Sequence, residues 1–331
     1  MKTNHPNIEW LLDPAYPGIR YLAMRDLLEL PANDPELVAA QKAAHTDGPI
    51  AAILETMHPD GYWRKPGPGY TQKYYSTVWS LIMLGQLGGS LAVDERIGRA
   101  CAYELDASLT PQGQFTYNGQ PSGTFDCLQG NLCTALISLG CEDARLDLAY
   151  EYMARSVTGE GVAPLTEQTA PLRFYHAKCG PGFDCGYNGQ KPCAWGAAKI
   201  MLAFAYLPAE RRTPLIERAI RQGVDFLFST DPARADYPTR TDSKPNRSWW
   251  AFGFPVFYVT DILQVVESLV ALGYGKDPRL ANALQLIREK QDPQGRWTLE
   301  YDYAGKTWLD FGPKGQPNPW VTIRAMKILQ R

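Results

Sequence analysis

LGQLGGSLAVDERIGRACAYEL, residues 84–105, decides how the rest of the chain is read. An apolar helix ends at Leu-Gly, Asp94 opens a second helix, and Arg96 follows two residues later, so the stretch is a helical hairpin. The same order returns in LGCEDARLDLAYEYM from Leu139 and LGYGKDPRLANALQLI from Leu272, with YLPAERRTPLIERAI from Tyr206 as a degenerate copy. Copies recur roughly every 50 to 70 residues, a period at which hairpins stack side by side and bury a shared core. The second helix usually runs into a turn carrying glycine and an aromatic residue: HPDGYW at His58, TPQGQF at Thr110 and QDPQGRW at Gln291. Arg96, Arg145 and Arg279 recur at one place in the hairpin, which points to a structural task such as bonding carbonyls at helix ends.

First helices are expected near residues 17–30, 72–88, 127–140, 193–207, 258–273 and 318–330. They are rich in apolar and small residues, as in STVWSLIMLGQLG. Second helices are expected near 36–57, 94–107, 144–157, 213–229 and 278–291, and they carry charges opposite one apolar stripe. The inference is concentric: an all-α, α/α toroid of about six inner and five to six outer helices, forming one domain over residues 1–331.

Composition excludes several classes. Hydrophobic residues at 45% and charged residues at 21% describe an ordinary globular protein. A net charge of -2 gives no electrostatic reason to expect nucleic acid or an anionic membrane as partner. No apolar run approaches bilayer-spanning length, and MKTNHPNIEWLLDPAYPGIRYL lacks the apolar core and cleavage site of a signal peptide, so a cytoplasmic location is expected. In that compartment a cluster of cysteines reads as metal-binding or catalytic rather than as a disulfide framework.

That cluster lies in RFYHAKCGPGFDCGYNGQKPCAW, residues 173–195, with three of the seven cysteines. Cys193 precedes the helical run AWGAAKIMLAFAYL, at a helix N-terminus that favours thiolate. Cys127 opens the preceding inner helix. If all inner helices run one way, Cys127, Cys179, Cys185, Cys193 and His176 meet at one rim, between helices about 10 Å apart. Four thiols, or three with His176, satisfy tetrahedral zinc; an iron–sulfur cluster would use the same ligands. Cys101, Cys133 and Cys141 sit in or beside helical runs as small hydrophobes. His5, His45 and His58 are expected at the surface or in turns.

Gln291, Gly295 and Trp297 of QDPQGRW stand at the Gln-x3-Gly-x-Trp spacing, which resembles the QW motif of squalene and hopene cyclases. HPDGYW and TPQGQF are similar to degenerate copies. With the Leu-Gly…Asp-x-Arg hairpins, the chain resembles the α/α toroid of terpenoid cyclases and protein prenyltransferase β subunits. Its last third, from WWAFGFPVFYVTDILQ onward, also resembles uncharacterised bacterial proteins of the prenyltransferase and squalene-oxidase repeat. The resemblance implies a central cavity for a hydrophobic small molecule. Two departures restrict the chemistry: no Asp-x-Asp-Asp proton-donor motif exists, and Asp126-Cys127 and Asp184-Cys185 do not reproduce the Asp-x-Cys zinc spacing of the transferases.

Around the rim, Tyr74, Tyr75, Trp79, Trp195, Trp250, Phe254, Tyr258 and Trp320 are candidates to line the ligand site. Asp126, His176, Asp184 and Asp261 are candidates to move protons, Asp261 because a carboxylate in an apolar inner helix has its pKa raised. Two functions follow: an enzyme of terpenoid-cyclase-like form with zinc at the cavity rim, or a non-catalytic binding scaffold whose zinc is purely structural. The residues leave the oligomeric state open.

Overall fold

The computed structural model describes residues 6–164, 166–173, 180–241 and 244–330. Helices α1 (Pro6–Leu11), α2 (Pro17–Asp26), α3 (Pro35–Thr46), α4 (Pro49–Glu55), α5 (Thr77–Gln86), α6 (Glu95–Ser108) and α7 (Asp126–Ser138) come first. Then follow α8 (Arg145–Thr158), α9 (Ala194–Tyr206), α10 (Pro214–Leu227), α11 (Ile262–Leu269), α12 (Ala281–Glu289) and α13 (Pro319–Leu329). Its named strands, β1 (Asp184–Cys185) and β2 (Lys191–Pro192), form one short antiparallel pair.

The fold is the all-α toroid. α5, α7, α9, α11 and α13 each pack on the next, and α13 packs on α2. Leu22, Ile82, Ala135, Leu202, Gln264 and Ile323, one from each inner helix, face a common cavity. The outer layer is α3 with α4, then α6, α8, α10 and α12, each against an inner neighbour. Hydropathy explains the sorting. Every residue of α5 from Thr77 to Leu84 is buried, whereas α10 buries a single stripe at Leu215, Ile216, Ala219, Ile220, Gly223, Val224 and Leu227. The α7–α9 seam is closest because glycine lines it: a Cβ on Gly130 would sit 2.5 Å from the Lys199 carbonyl carbon, and one on Gly196 would sit 3.0 Å from Asp126 Cβ.

The glycine-aromatic turns tie the two layers together. Trp63 and Trp297 donate their indole N–H to the carbonyls of Ile53 (2.9 Å) and Ile287 (2.7 Å) in the outer helix just completed. Their backbone N–H groups, and that of Phe115, donate forward to Thr77, Thr322 and Gln129 of the next inner helix. Gly61, Gly113 and Gly295 take positive φ at the turn, and a Cβ on Gly113 would lie 2.1 Å from the Leu148 carbonyl oxygen. The motif is a rivet between outer and inner helix.

Several expectations need correction. The helix expected over 36–57 is two helices, because Gly48 at φ 94 turns the chain and Pro49 opens α4. The helix expected over 258–273 is ordinary α only from Ile262; residues 270–274 wind as a wider π turn ending in Gly273 at φ 96. His45 is buried, its Nδ1 2.8 Å from the Gln41 carbonyl and its Nε2 accepting from the Ser90 N–H at 2.9 Å. The recurrent arginines do not bind carbonyls. Arg96, Arg145 and Arg279 each clasp the aspartate two residues earlier, at 2.7 Å from Asp94, Asp143 and Asp277, while donating their backbone N–H to the same carboxylates. Among the described residues, no helix is long and apolar enough to cross a membrane.

Candidate functional site

The inner helices run parallel, since the C-terminal halves of α2, α5, α7, α9 and α11 all reach the same cavity. The toroid therefore has two unlike ends. Connections on the C-terminal face are short, such as 87–94, 139–144 and 207–213, whereas those on the N-terminal face span 56–76, 109–125, 159–193, 228–261 and 290–318. Long loops on a rigid scaffold are where side chains can be arranged for chemistry.

On the N-terminal face, aromatic rings fill the axis. Tyr74 stacks on Phe257 at 4.7 Å and meets Trp79 (4.9 Å) and Tyr303 (4.5 Å) edge-on. The Lys73 ammonium lies over Tyr258 (4.5 Å) and Tyr70 (5.0 Å), an arrangement in which ring quadrupoles hold a cation. Tyr74, Trp79 and Tyr258 thus share one cluster. Tyr75 stands apart against Trp308 with the Arg64 guanidinium over both rings. Trp250 anchors a loop, donating to the Ala233 carbonyl at 2.7 Å.

Beside this cluster stand the acid and the thiols. Asp126 begins α7 and is buried, and among the described residues its Oδ2 has no hydrogen-bond partner. Burial, reinforced by Cys185 and Asp184, pushes its carboxyl well above the ordinary range and so favours its protonated form. Burial likewise pushes the Cys127 thiol up to about 12. In the β1–β2 pair Cys185 faces Lys191, and Cys193 donates its N–H to the Phe183 carbonyl at 2.9 Å. This register sets Cys185 and Cys193 on one pocket, and the neighbouring Cys193 thiol together with burial raises the Cys185 pKa. Both thiols line a pocket of about 250 Å³ whose walls are Tyr187, Trp195, Tyr237 and Trp249.

His176 and Cys179 lie outside the described residues. Among the described residues, no three His, Cys, Asp or Glu side chains are grouped to hold a metal.

Between the two ends sits a buried lysine that sequence reasoning missed. Lys199, in α9, donates to the Thr260 hydroxyl and to Gln264 Oε1 (2.9 Å), and burial lowers its pKa to about 8. Asp261 caps α11, accepting from the Gln264 N–H at 2.9 Å, and binds the Arg324 guanidinium bidentately at 2.8 Å. A carboxylate so engaged is a strut of the ring. The signal for both cations was present: one charge, Lys199, interrupts AWGAAKIMLAFAYL, and two, Arg324 and Lys327, interrupt WVTIRAMKIL.

The cavity on the axis opens through the C-terminal face. Of the candidate aromatics only Phe254 and Trp320, stacked at 4.9 Å, line it. Its mouth is polar, with Arg25, Asp26, Tyr206, Glu267 and Lys327.

No protein-family model and no curated protein matches the chain. Among solved structures, the chain is similar to the type II terpene cyclase MstE from Scytonema. An apo tyrosine-to-phenylalanine variant aligns at 18% identity over 79% of this chain and 66% of that one, with a TM-score of 0.44. An aspartate-to-asparagine variant in complex with geranylgeranyl dihydroxybenzoate aligns at 17% identity over the same shares, again with a TM-score of 0.44. The chain thus spans 66% of the length of these cyclase structures.

Proposed function

We propose that the protein is an enzyme of terpenoid-cyclase-like form that binds a hydrophobic small molecule at the N-terminal face of the toroid and acts on it by acid chemistry. The observation that supports this most is Asp126, a buried carboxyl with an oxygen that has no partner among the described residues. Its pKa responds to Cys185, which lines the aromatic-walled pocket. A protonated carboxyl in apolar surroundings can give its proton to a carbon–carbon double bond, forming a C–H bond and leaving a cation. The rings of Tyr70, Trp79 and Tyr258, already gathered around the Lys73 ammonium, are suited to stabilise positive charge. Asp126 stands alone, without the Asp-x-Asp-Asp motif, and burial, by raising its pKa, favours retention of the proton that such a reaction needs. Asp184 is adjacent in charge and helps to keep Asp126 protonated.

Geranylgeraniol is a suitable probe, because Trp195 and Trp249 in the pocket wall report its binding by fluorescence. Binding should persist in Asp126→Asn while conversion, followed by mass spectrometry, disappears. Conversion at an unchanged rate in that variant, or no quenching by any isoprenoid, would remove the reading.

A second reading is favoured by the contact between Cys185 and Cys193. In it these thiols, with Cys127 and Cys179, hold a zinc that fastens the 159–193 connection over the face, and the toroid only binds. Structural zinc takes four ligands and stabilises the fold outright. Elemental analysis should then give one metal per chain, lost together with thermal stability in Cys185→Ser and Cys193→Ser; metal-free protein eliminates it.

A further inference from the structure

The C-terminal mouth holds a second set of polar groups that the acid chemistry above does not use. Its charges are paired within the protein: Arg25 with Asp26 at 2.6 Å, Lys327 with Glu267 at 3.3 Å, and deeper down Arg324 with Asp261 at 2.8 Å. The side chains of Lys327 and Glu267 are 19% and 16% exposed, yet both open onto a space of about 330 Å³, at the lower end of the roughly 300–1,000 Å³ of small-molecule sites. An ammonium has three N–H donors. Among the described residues Lys327 finds two acceptors, Tyr206 Oη at 3.2 Å and Glu267 Oε1 at 3.3 Å, both long. Among the same residues Glu267 Oε2 receives no donor. The pair therefore presents one spare donor beside one spare acceptor, a few bond lengths apart at the edge of a half-open space.

This arrangement discriminates between ligand classes. A carboxylate ligand would satisfy Lys327 and be repelled by Glu267 and Asp26, while an ammonium ligand would meet the reverse conflict with Lys327 and Arg25. Because the protein charges already cancel, a net-charged ligand finds no uncompensated partner. A hydroxyl accepts from the ammonium through oxygen and donates its own proton to the carboxylate. Adjacent hydroxyls satisfy both spare groups without separating the ion pairs. Beneath them, Leu22, Phe254 and Trp320 offer apolar surface to a carbon skeleton. We propose that the C-terminal mouth of the toroid is a binding site for a small neutral polyol, held by Lys327 and Glu267.

Isothermal titration of the whole protein with myo-inositol and glycerol tests this, with D-gluconate and D-glucosamine as charged counterparts. The expected result is a Kd for myo-inositol of about 1 to 10 mM, weakened about tenfold in Glu267→Gln, where a donor replaces the acceptor. Ser138→Leu, which fills the mouth from its edge, should abolish binding even if Glu267→Gln proves poorly folded. Absence of heat with any neutral polyol up to about 100 mM, tighter binding of either charged compound, or equal binding by Ser138→Leu overturns the proposal. The site lies at the opposite end from Asp126, so its failure leaves the acid reading untouched.

Discussion

The two ends of the toroid solve the problem of buried polarity in opposite ways. At the C-terminal mouth carboxylates are matched with cations, Asp26 with Arg25 and Glu267 with Lys327, and at the start of α11 Asp261 is matched with Arg324. At the N-terminal face Asp126 is buried with an oxygen that has no partner among the described residues, and burial raises its pKa instead, favouring the neutral form. A charge taken out of water must be paired or neutralised, and one chain of net charge -2 does both at opposite ends of its axis. The difference teaches where chemistry is to be sought. A matched ion pair holds its two partners in place, while a buried carboxyl that retains its proton is a group from which a proton can be transferred to a substrate.

Breaking one buried ionic partnership should have the largest effect. Arg324→Met leaves the Asp261 carboxylate, whose side chain is 5% exposed, without its bidentate partner. Loss of one member of a buried pair costs about 3–5 kcal/mol. Chemical denaturation should show a drop of that order, and a drop under about 1 kcal/mol would mean that the pair is far wetter than its burial implies.

At the other end the corresponding change should stabilise. Asp126 binds its proton in the folded chain and releases it in the unfolded chain above its ordinary pKa of 3.8. Stability contributed by that proton is complete at lower pH and falls by about 1.4 kcal/mol per pH unit above it, until the folded carboxyl ionises. Asp126→Asn removes the dependence. Its stability should match the wild type near pH 4 and exceed it increasingly toward neutral pH, and a variant less stable than wild type at pH 7 would show that Asp126 is charged when folded. Lys199 gives the opposite slope: with its pKa lowered from 10.5 to about 8, wild-type stability should gain from its deprotonation between those values. Lys199→Met should lack that gain, of about 1.4 kcal/mol per pH unit at most.

How much of this was legible in residues alone follows from what repetition can carry. The toroid was legible because each Leu-Gly…Asp-x-Arg hairpin and each glycine-aromatic turn repeats one local solution, and local solutions leave local marks. The rivet made by Trp63 and Trp297 was visible as spacing, though not its hydrogen bonds to Ile53 and Ile287. Cys127, Cys185 and Cys193 could be placed on one face because parallel inner helices bring their N-termini together. The partner of Asp261 could not be found, since Arg324 lies 63 positions away and no motif links them. The cavity's polar mouth was missed for a similar reason: Arg25, Tyr206, Glu267 and Lys327 stand one to a helix, and only ring closure assembles them.

The smallest effects belong to the short connections that keep the C-terminal face regular. Asp94 accepts the Arg96 backbone N–H at 3.0 Å and also clasps its guanidinium at 2.7 Å, so the carboxylate does two jobs and the arginine one. The cap satisfies a backbone donor that the first helical turn leaves over, and its loss costs about 1 kcal/mol. The ion pair is substantially solvent-exposed on the arginine side and is screened, so its loss costs about 0–1 kcal/mol. Asp94→Ala should therefore lower the stability more than Arg96→Ala. The double variant should cost no more than Asp94→Ala together with the packing of the arginine stem, because the pair exists only while the cap does. The same ranking should hold for Asp277 and Arg279, and salt should erase the arginine's share while leaving the aspartate's. Equal costs for the two single variants would mean that the ion pair, and not the cap, closes the hairpin, and the repeat would then be an electrostatic device at both the mouth and its rim.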